Sequence, residues 1–66
     1  LYYVYVLESI KNGNRYIGYT QNILKRLERH NRGAVKSTSN NKPWKLLFEA
    51  EFTTRKESIK FEKHLK

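Results

Sequence analysis

Residues 2 to 20 read Tyr2-Tyr3-Val4-Tyr5-Val6-Leu7-Glu8-Ser9-Ile10-Lys11-Asn12-Gly13-Asn14-Arg15-Tyr16-Ile17-Gly18-Tyr19-Thr20, and this stretch decides the fold. Both ends are aromatic and β-branched, and Asn12-Gly13 lies between them; Asn-Gly flanked by such runs is the strongest short-range hairpin signal. Two antiparallel strands are therefore expected, over residues 2 to 8 and 15 to 20. Side chains alternate along a strand, so Val4 and Val6 share one face and Tyr3 and Tyr5 the other. A two-residue loop would oppose Ser9 to Tyr16, Leu7 to Gly18 and Tyr5 to Thr20. That register sets Tyr5, Tyr16 and Gly18 on one side of the sheet. Two phenols flanking a glycine describe a shallow site, with Gly18 keeping its floor open.

Working outward, Thr20 or Asn22 can cap a helix running to about Asn31, with Ile23, Leu24 and Leu27 as its apolar stripe and Gly33 as its stop. Lys25, Arg26, Arg29 and His30 crowd its other face. Residues 33 to 43, rich in Ser, Thr, Asn and Lys, read as a mobile basic loop. In a third strand Trp44, Leu46, Phe48, Ala50 and Phe52 alternate against Lys45, Glu49 and Glu51, with Leu47 interrupting the polar side. Thr54-Arg55-Lys56-Glu57 is a capping box that opens a last helix. On it Ser58, Phe61, Glu62 and Leu65 recur at helical spacing, which puts one carboxylate on or beside the apolar face. The order strand, strand, helix, strand, helix predicts an α+β fold, a small three-stranded, mainly antiparallel sheet with flanking helices.

Sixty-six residues suffice for a single domain, near the size at which one core is marginal. The absence of cysteine excludes disulfide frameworks, thiolate zinc sites and cysteine nucleophiles. Fourteen Lys+Arg against six Asp+Glu give a net charge of +8, which points to a polyanionic partner, nucleic acid first. A membrane surface or an acidic protein is the weaker alternative, since no segment combines a wide apolar face with a purely basic one. Without a signal peptide or a membrane-length apolar run, a cytoplasmic location is expected.

Glu62 is the most loaded residue. An ionised carboxylate turned inward is costly unless it is paired, hydrogen-bonded or bound to a cation. An i,i+4 pair with Lys66 is one answer, and a hard divalent ion such as Mg²⁺ or Mn²⁺ is another. Arg26 and His30 stand one helical turn apart. They make either a solvated basic face or a pair that holds phosphate and moves a proton, since a guanidinium fits phosphate oxygens and imidazole titrates near neutrality.

Taken in order, these residues resemble the GIY-YIG nucleases. The two motif triplets read Tyr3-Val4-Tyr5 and Tyr16-Ile17-Gly18, with Tyr3 where the family has glycine and Val4 where it has isoleucine. Arg26 and His30 follow at the family's spacing. The run from Tyr16 to Asn31, the strand from Pro43 to Glu51 and the ending from Glu57 through Glu62 to Lys66 are similar to the small stand-alone bacterial proteins of that superfamily. The resemblance covers essentially residues 1 to 66. It implies one nuclease domain that cleaves DNA phosphodiester bonds with one divalent ion, Mg²⁺ or Mn²⁺.

Carried onto this sequence, the resemblance implies that Glu62 binds the metal, that Arg26 clamps a phosphate oxygen, and that Tyr5 or Tyr16 is the general base. His30 would orient the water or the phenol, and Gly18 would let the DNA backbone approach. The basic helix and the loop after it, through Lys25, Arg29, Arg32, Lys36 and Lys42, would hold backbone phosphates without reading sequence. This reading demands that Tyr5, Tyr16, Arg26, His30 and Glu62 converge on one concave surface. Many members carry a further asparagine about a dozen residues beyond the catalytic glutamate; either that segment is truncated here or the small subgroup does without it. The rival reading is a DNA-binding module on the same fold with little or no catalysis. Branched or damaged DNA, as in DNA repair, is a plausible substrate that the sequence does not select, and it sets no oligomeric state.

Overall fold

The computed structural model describes all 66 residues. In chain order it holds β1 (Tyr2–Ser9), β2 (Arg15–Thr20), α1 (Ile23–Asn31), a 3-10 helix (Lys36–Asn41), β3 (Trp44–Phe52) and α2 (Arg55–Leu65). The three strands form one sheet in the order β2-β1-β3, antiparallel throughout, which is the α+β arrangement predicted. No helix is long and apolar enough to cross a membrane.

The hairpin forms, but in a different register. Tyr5 pairs with Gly18, Leu7 with Tyr16 and Tyr3 with Thr20, two residues away from the expected alignment. A two-residue Asn-Gly turn needs φ > 0 at both positions, and only Gly13, at φ 77°, adopts it. A longer loop closes instead around Ser9. Its N–H donates to the Asn14 carbonyl at 2.8 Å, its carbonyl accepts from Gly13 N–H at 2.9 Å, and its hydroxyl oxygen accepts from the amides of Lys11 and Asn12. Because the shift is an even number of residues, the faces are preserved, and Tyr5, Tyr16 and Gly18 remain on one side.

β3 departs from strict alternation. Val6 pairs with Phe48 and Leu7 with Leu46, so Leu47 is an extra residue in a bulge. The bulge reverses the phase of the strand. Trp44 and Leu46 fall on the side of Tyr5 and Leu7, whereas Phe48, Ala50 and Phe52 fall on the side of Val6, Val4 and Tyr2. The interruption at Leu47 in the sequence is this bulge.

Each face carries one helix. Ile23 and Leu27 of α1 pack against the buried cluster of Tyr5, Leu7 and Trp44. Leu24, expected in that stripe, is 80 % exposed, and the fully buried His30 completes the row instead. On the other face Phe61 of α2 lies 5.2 Å from Phe52 and 6.4 Å from Phe48, centre to centre. Asn22 caps α1, its side chain accepting from Lys25 N–H at 3.0 Å, and Thr54 caps α2 by accepting from Glu57 N–H at 3.2 Å.

The stretch expected as a mobile loop is instead built into the structure. Thr38 is buried, its carbonyl accepting from the Trp44 indole N–H at 3.0 Å. The Asn31 side chain bonds both the N–H and the carbonyl of Trp44, tying the end of α1 to the start of β3. Composition reads as loop here because Ser, Thr and Asn favour local backbone bonding, yet these tertiary partners fix the segment.

Candidate active site

A cavity of about 760 Å³ follows the free edge of β2 and takes side chains from both faces of the sheet. Tyr5, Tyr16 and Gly18 line it from the strands, Arg26 from α1 and Glu62 from α2. Five of the residues singled out from the sequence therefore meet around one edge. Lys25 and Arg29 line the same cavity, whereas Arg32, Lys36 and Lys42 do not. Arg32 instead pairs with Glu28 one turn away, at 3.5 Å.

His30 is not on the cavity wall. The Ile23–Leu27 row carries it inward, where it is fully buried behind Tyr5. Its Nδ1 lies 2.8 Å from Thr38 Oγ1 and its Nε2 3.2 Å from Tyr5 Oη. The Thr38 hydroxyl donates to the Val35 carbonyl at 3.3 Å, so Thr38 Oγ1 is left to accept from Nδ1–H. His30 Nε2 then accepts from the Tyr5 hydroxyl. Burial holds the imidazole below the usual histidine pKa, and the nearby Arg26 and Arg29 push the same way. His30 is thus a neutral acceptor at neutral pH.

Tyr5 is only 2 % exposed and belongs to the core, contrary to the shallow site expected. Burial raises its pKa well above the ordinary tyrosine value; the neighbouring Tyr16 and the charge of Glu62 raise it further, while Arg26 lowers it. Tyr16 is partly exposed, its ring 4.9 Å from His30 and 6.3 Å from Tyr5. Gly18 is buried, and it does not hold open a floor. A Cβ at that position would stand 2.7 Å from Tyr5 Oη and 3.1 Å from Tyr16 Cε2, so the space a side chain would take is filled by the phenols.

Glu62 is the cavity's sole carboxylate, and its side chain is 15 % exposed. The expected i,i+4 pair with Lys66 forms, but at 3.8 Å and with a half-exposed lysine, an arrangement worth about 0.3–0.5 kcal/mol. No group of three or more His, Cys, Asp or Glu side chains gathers anywhere to hold a metal. A single carboxylate facing a cavity still fits Mg²⁺, which keeps most of its waters and is commonly held by one or two carboxylates together with substrate phosphates.

Sequence reasoning missed Arg55, Tyr19 and Thr38. Arg55 lines the cavity, with Nη2 donating to Tyr19 Oη at 3.2 Å. Its signal was available: Arg55 and Glu62 are two helical turns apart and share a face of α2. Thr38 carried none, because its role depends on where the chain folds back.

The GIY-YIG catalytic domain family matches residues 1 to 66, and the chain belongs to that family. Among its relatives, a UPF0213 protein of Bacillus licheniformis is 42 % identical over 98 % of this chain and 67 % of its own length. A UPF0213 protein of Staphylococcus saprophyticus is 35 % identical over 98 % of this chain and 79 % of its own. The structure-specific endonuclease subunit SLX1 homolog of Giardia intestinalis is 42 % identical over 91 % of this chain, which spans only 18 % of that protein. No solved structure gives a significant match.

Proposed function

We propose that this chain is a divalent-metal-dependent endonuclease that hydrolyses DNA phosphodiester bonds. The observation that carries the reading is the convergence of Tyr5, Tyr16, Arg26 and Glu62, from four elements, on one cavity bordered by Lys25 and Arg29. A DNA-binding module needs the cations but has no use for a half-buried carboxylate among them. Family membership and the relationship to a protein named as a structure-specific endonuclease subunit support the same reading.

Glu62 would hold Mg²⁺ or Mn²⁺, which when bound supplies positive charge at the scissile phosphate and the leaving oxygen. Arg26 clamps a nonbridging oxygen with its planar fork of N–H donors. A water oxygen attacks phosphorus, the bond to the leaving oxygen breaks, and that oxygen takes a proton from solvent. The attacking water must itself lose a proton, and of the phenols lining the cavity Tyr5 and Tyr16, on the face that α1 covers, are the candidates to receive it.

Tyr5 is the better base of the two, because its phenol has a side-chain proton acceptor built in. Burial raises its pKa, so the resting group is a neutral phenol. The proton therefore has to move on in the same step: as Tyr5 Oη takes a proton from water, its own passes to His30 Nε2, and the phenol stays neutral. Thr38 holds the imidazole in the tautomer this requires. Tyr16, more exposed, positions the water or the phosphate.

The test is incubation with plasmid, branched and single-stranded DNA in Mg²⁺ or Mn²⁺, beside a Glu62→Ala control. Cleavage by the parent chain that the control loses is the expected result. Cleavage retained by the control removes the metal role from Glu62, and binding without cleavage under every condition leaves a DNA-binding module.

A further inference from the structure

One cluster in the cavity is not used by the chemistry above. Arg55, the first residue of α2, lines the cavity with Tyr19 of β2 and Tyr2 of β1. Tyr19 pairs with Val4 in the sheet, so it faces α2, away from Tyr16. Arg55 donates to Tyr19 Oη at 3.2 Å, and its guanidinium carbon stands 6.0 Å from the Tyr19 ring centre. None of the chain's salt bridges involves Arg55.

An exposed arginine ordinarily samples many rotamers, and ordering it on a ligand costs side-chain entropy. Here a phenol already fixes one corner of the fork, and the remaining N–H groups are free for an anion. Arg26 enters the same cavity from α1, on the opposite face of the sheet. Two guanidinium groups on either side of β2 thus offer two anion positions. The cavity's 760 Å³ lies in the range of roughly 300–1,000 Å³ that encloses a small organic molecule. It has room for a short piece of one strand, and a strand carries a phosphate at every nucleotide.

We propose that Arg55, oriented by Tyr19, forms a second phosphate subsite that binds a phosphodiester group flanking the scissile one on the same strand. This rests on the nuclease reading, in which Arg26 holds the scissile phosphate. Arg55 then registers the strand along the β2 edge, and its loss separates the two phosphates in effect: contacts at Arg26 persist while the flanking one is released.

The test measures binding in EDTA, so cleavage plays no part. Thymidine 5′-monophosphate and a thymidine dinucleotide phosphorylated at both ends are titrated into the parent chain and into Arg55→Gln, Arg26→Gln and Lys56→Gln, with Arg Nε signals followed by NMR. Lys56→Gln makes the same charge change one residue away, outside the cavity. Arg55→Gln is expected to weaken the dinucleotide about tenfold, as loss of a charge-assisted contact does, while changing the monophosphate less than twofold. Tyr19→Phe, which keeps the ring, should weaken the dinucleotide about threefold without altering the thermal midpoint. Equal loss for both ligands, or a Lys56→Gln effect as large as that of Arg55→Gln, makes Arg55 diffuse charge and overturns the proposal. Loss confined to Arg26→Gln overturns it too, but leaves the nuclease reading standing. A parent chain that binds neither ligand overturns both.

Discussion

Gly18 lies against the hydroxyl end of Tyr5: a Cβ placed on it would stand 2.7 Å from Tyr5 Oη and 2.9 Å from Cζ. The cross-strand pair is therefore a packing joint, in which the missing side chain of one residue is the seat of the other. Gly18→Ala must displace Tyr5 or bend the sheet, and overpacking of this kind costs about 1–3 kcal/mol. Thermal unfolding of Gly18→Ala should show that loss. With Tyr5→Phe added, which removes the closer of the two colliding atoms, the combined loss should fall short of the sum of the two single losses.

The two phenols are expected to separate in single-turnover kinetics. Tyr5→Phe should lower the cleavage rate at least a hundredfold with little change in DNA affinity, in the range typical of removing an acid–base group. It also strips His30 Nε2 of its partner, so a stability loss of about 1–3 kcal/mol accompanies it and calls for assay well below the melting point. Tyr16→Phe should cost much less. The reverse order would move the base role to Tyr16.

His30 makes stability depend on acidity. Its folded pKa lies below the unfolded value of about 6.5, because burial and two arginines disfavour the imidazolium. The unfolded chain binds the proton first as pH falls, so this contribution is fully present above about pH 6.5 and is lost as pH drops from there through the folded pKa. Denaturant titrations should show stability falling over that window in the parent chain and a flatter profile in His30→Gln. Cleavage should fail over the same acid range, since a protonated imidazole cannot accept from Tyr5.

Glu62→Gln keeps shape and removes the charge. The parent chain should melt higher in millimolar Mg²⁺ or Mn²⁺ than in EDTA, as any ligand that binds only the folded state requires. Glu62→Gln should show no such shift and no cleavage, while still binding DNA at low salt. A metal-dependent shift retained by the variant would place the ion elsewhere.

Thr38→Val removes the acceptor for His30 Nδ1–H and should destabilise the fold by about 1–3 kcal/mol. Its effect on cleavage should exceed its effect on DNA binding, because a freed imidazole no longer holds the Nε2 lone pair toward Tyr5.

The order of elements and the cap of α2 were readable from periodicity and local chemistry, whereas the meeting of Tyr16, Arg26 and Glu62 was expected from the family resemblance alone. His30 shows what was readable but misread. It falls seven residues after Ile23 and three after Leu27, on the apolar row, yet its neighbours Arg26 and Arg29 drew it into the basic face. Gly18 was misread for a different reason: an open position and a filled one look alike until the register is known. Thr38 was beyond reach, because nothing in a Ser, Thr and Asn segment shows that its hydroxyl will meet a histidine and its carbonyl a tryptophan.

The bulge at Leu47 has a wider consequence. By inserting half a pleat period, it lets a single strand face both helices in succession, with Trp44 and Leu46 on the α1 side and then Phe48, Ala50 and Phe52 on the α2 side. Neither helix could be retained by its own few apolar contacts, and both are moored to the same ribbon on either side of one residue. Straightening the strand with Leu47 kept would pair Leu47 with Leu7, turn Trp44 and Leu46 onto the α2 side and leave α1 without its mooring. The helices that carry Arg26 and Glu62 are in this sense kept on opposite faces by a leucine that lines no part of the cavity.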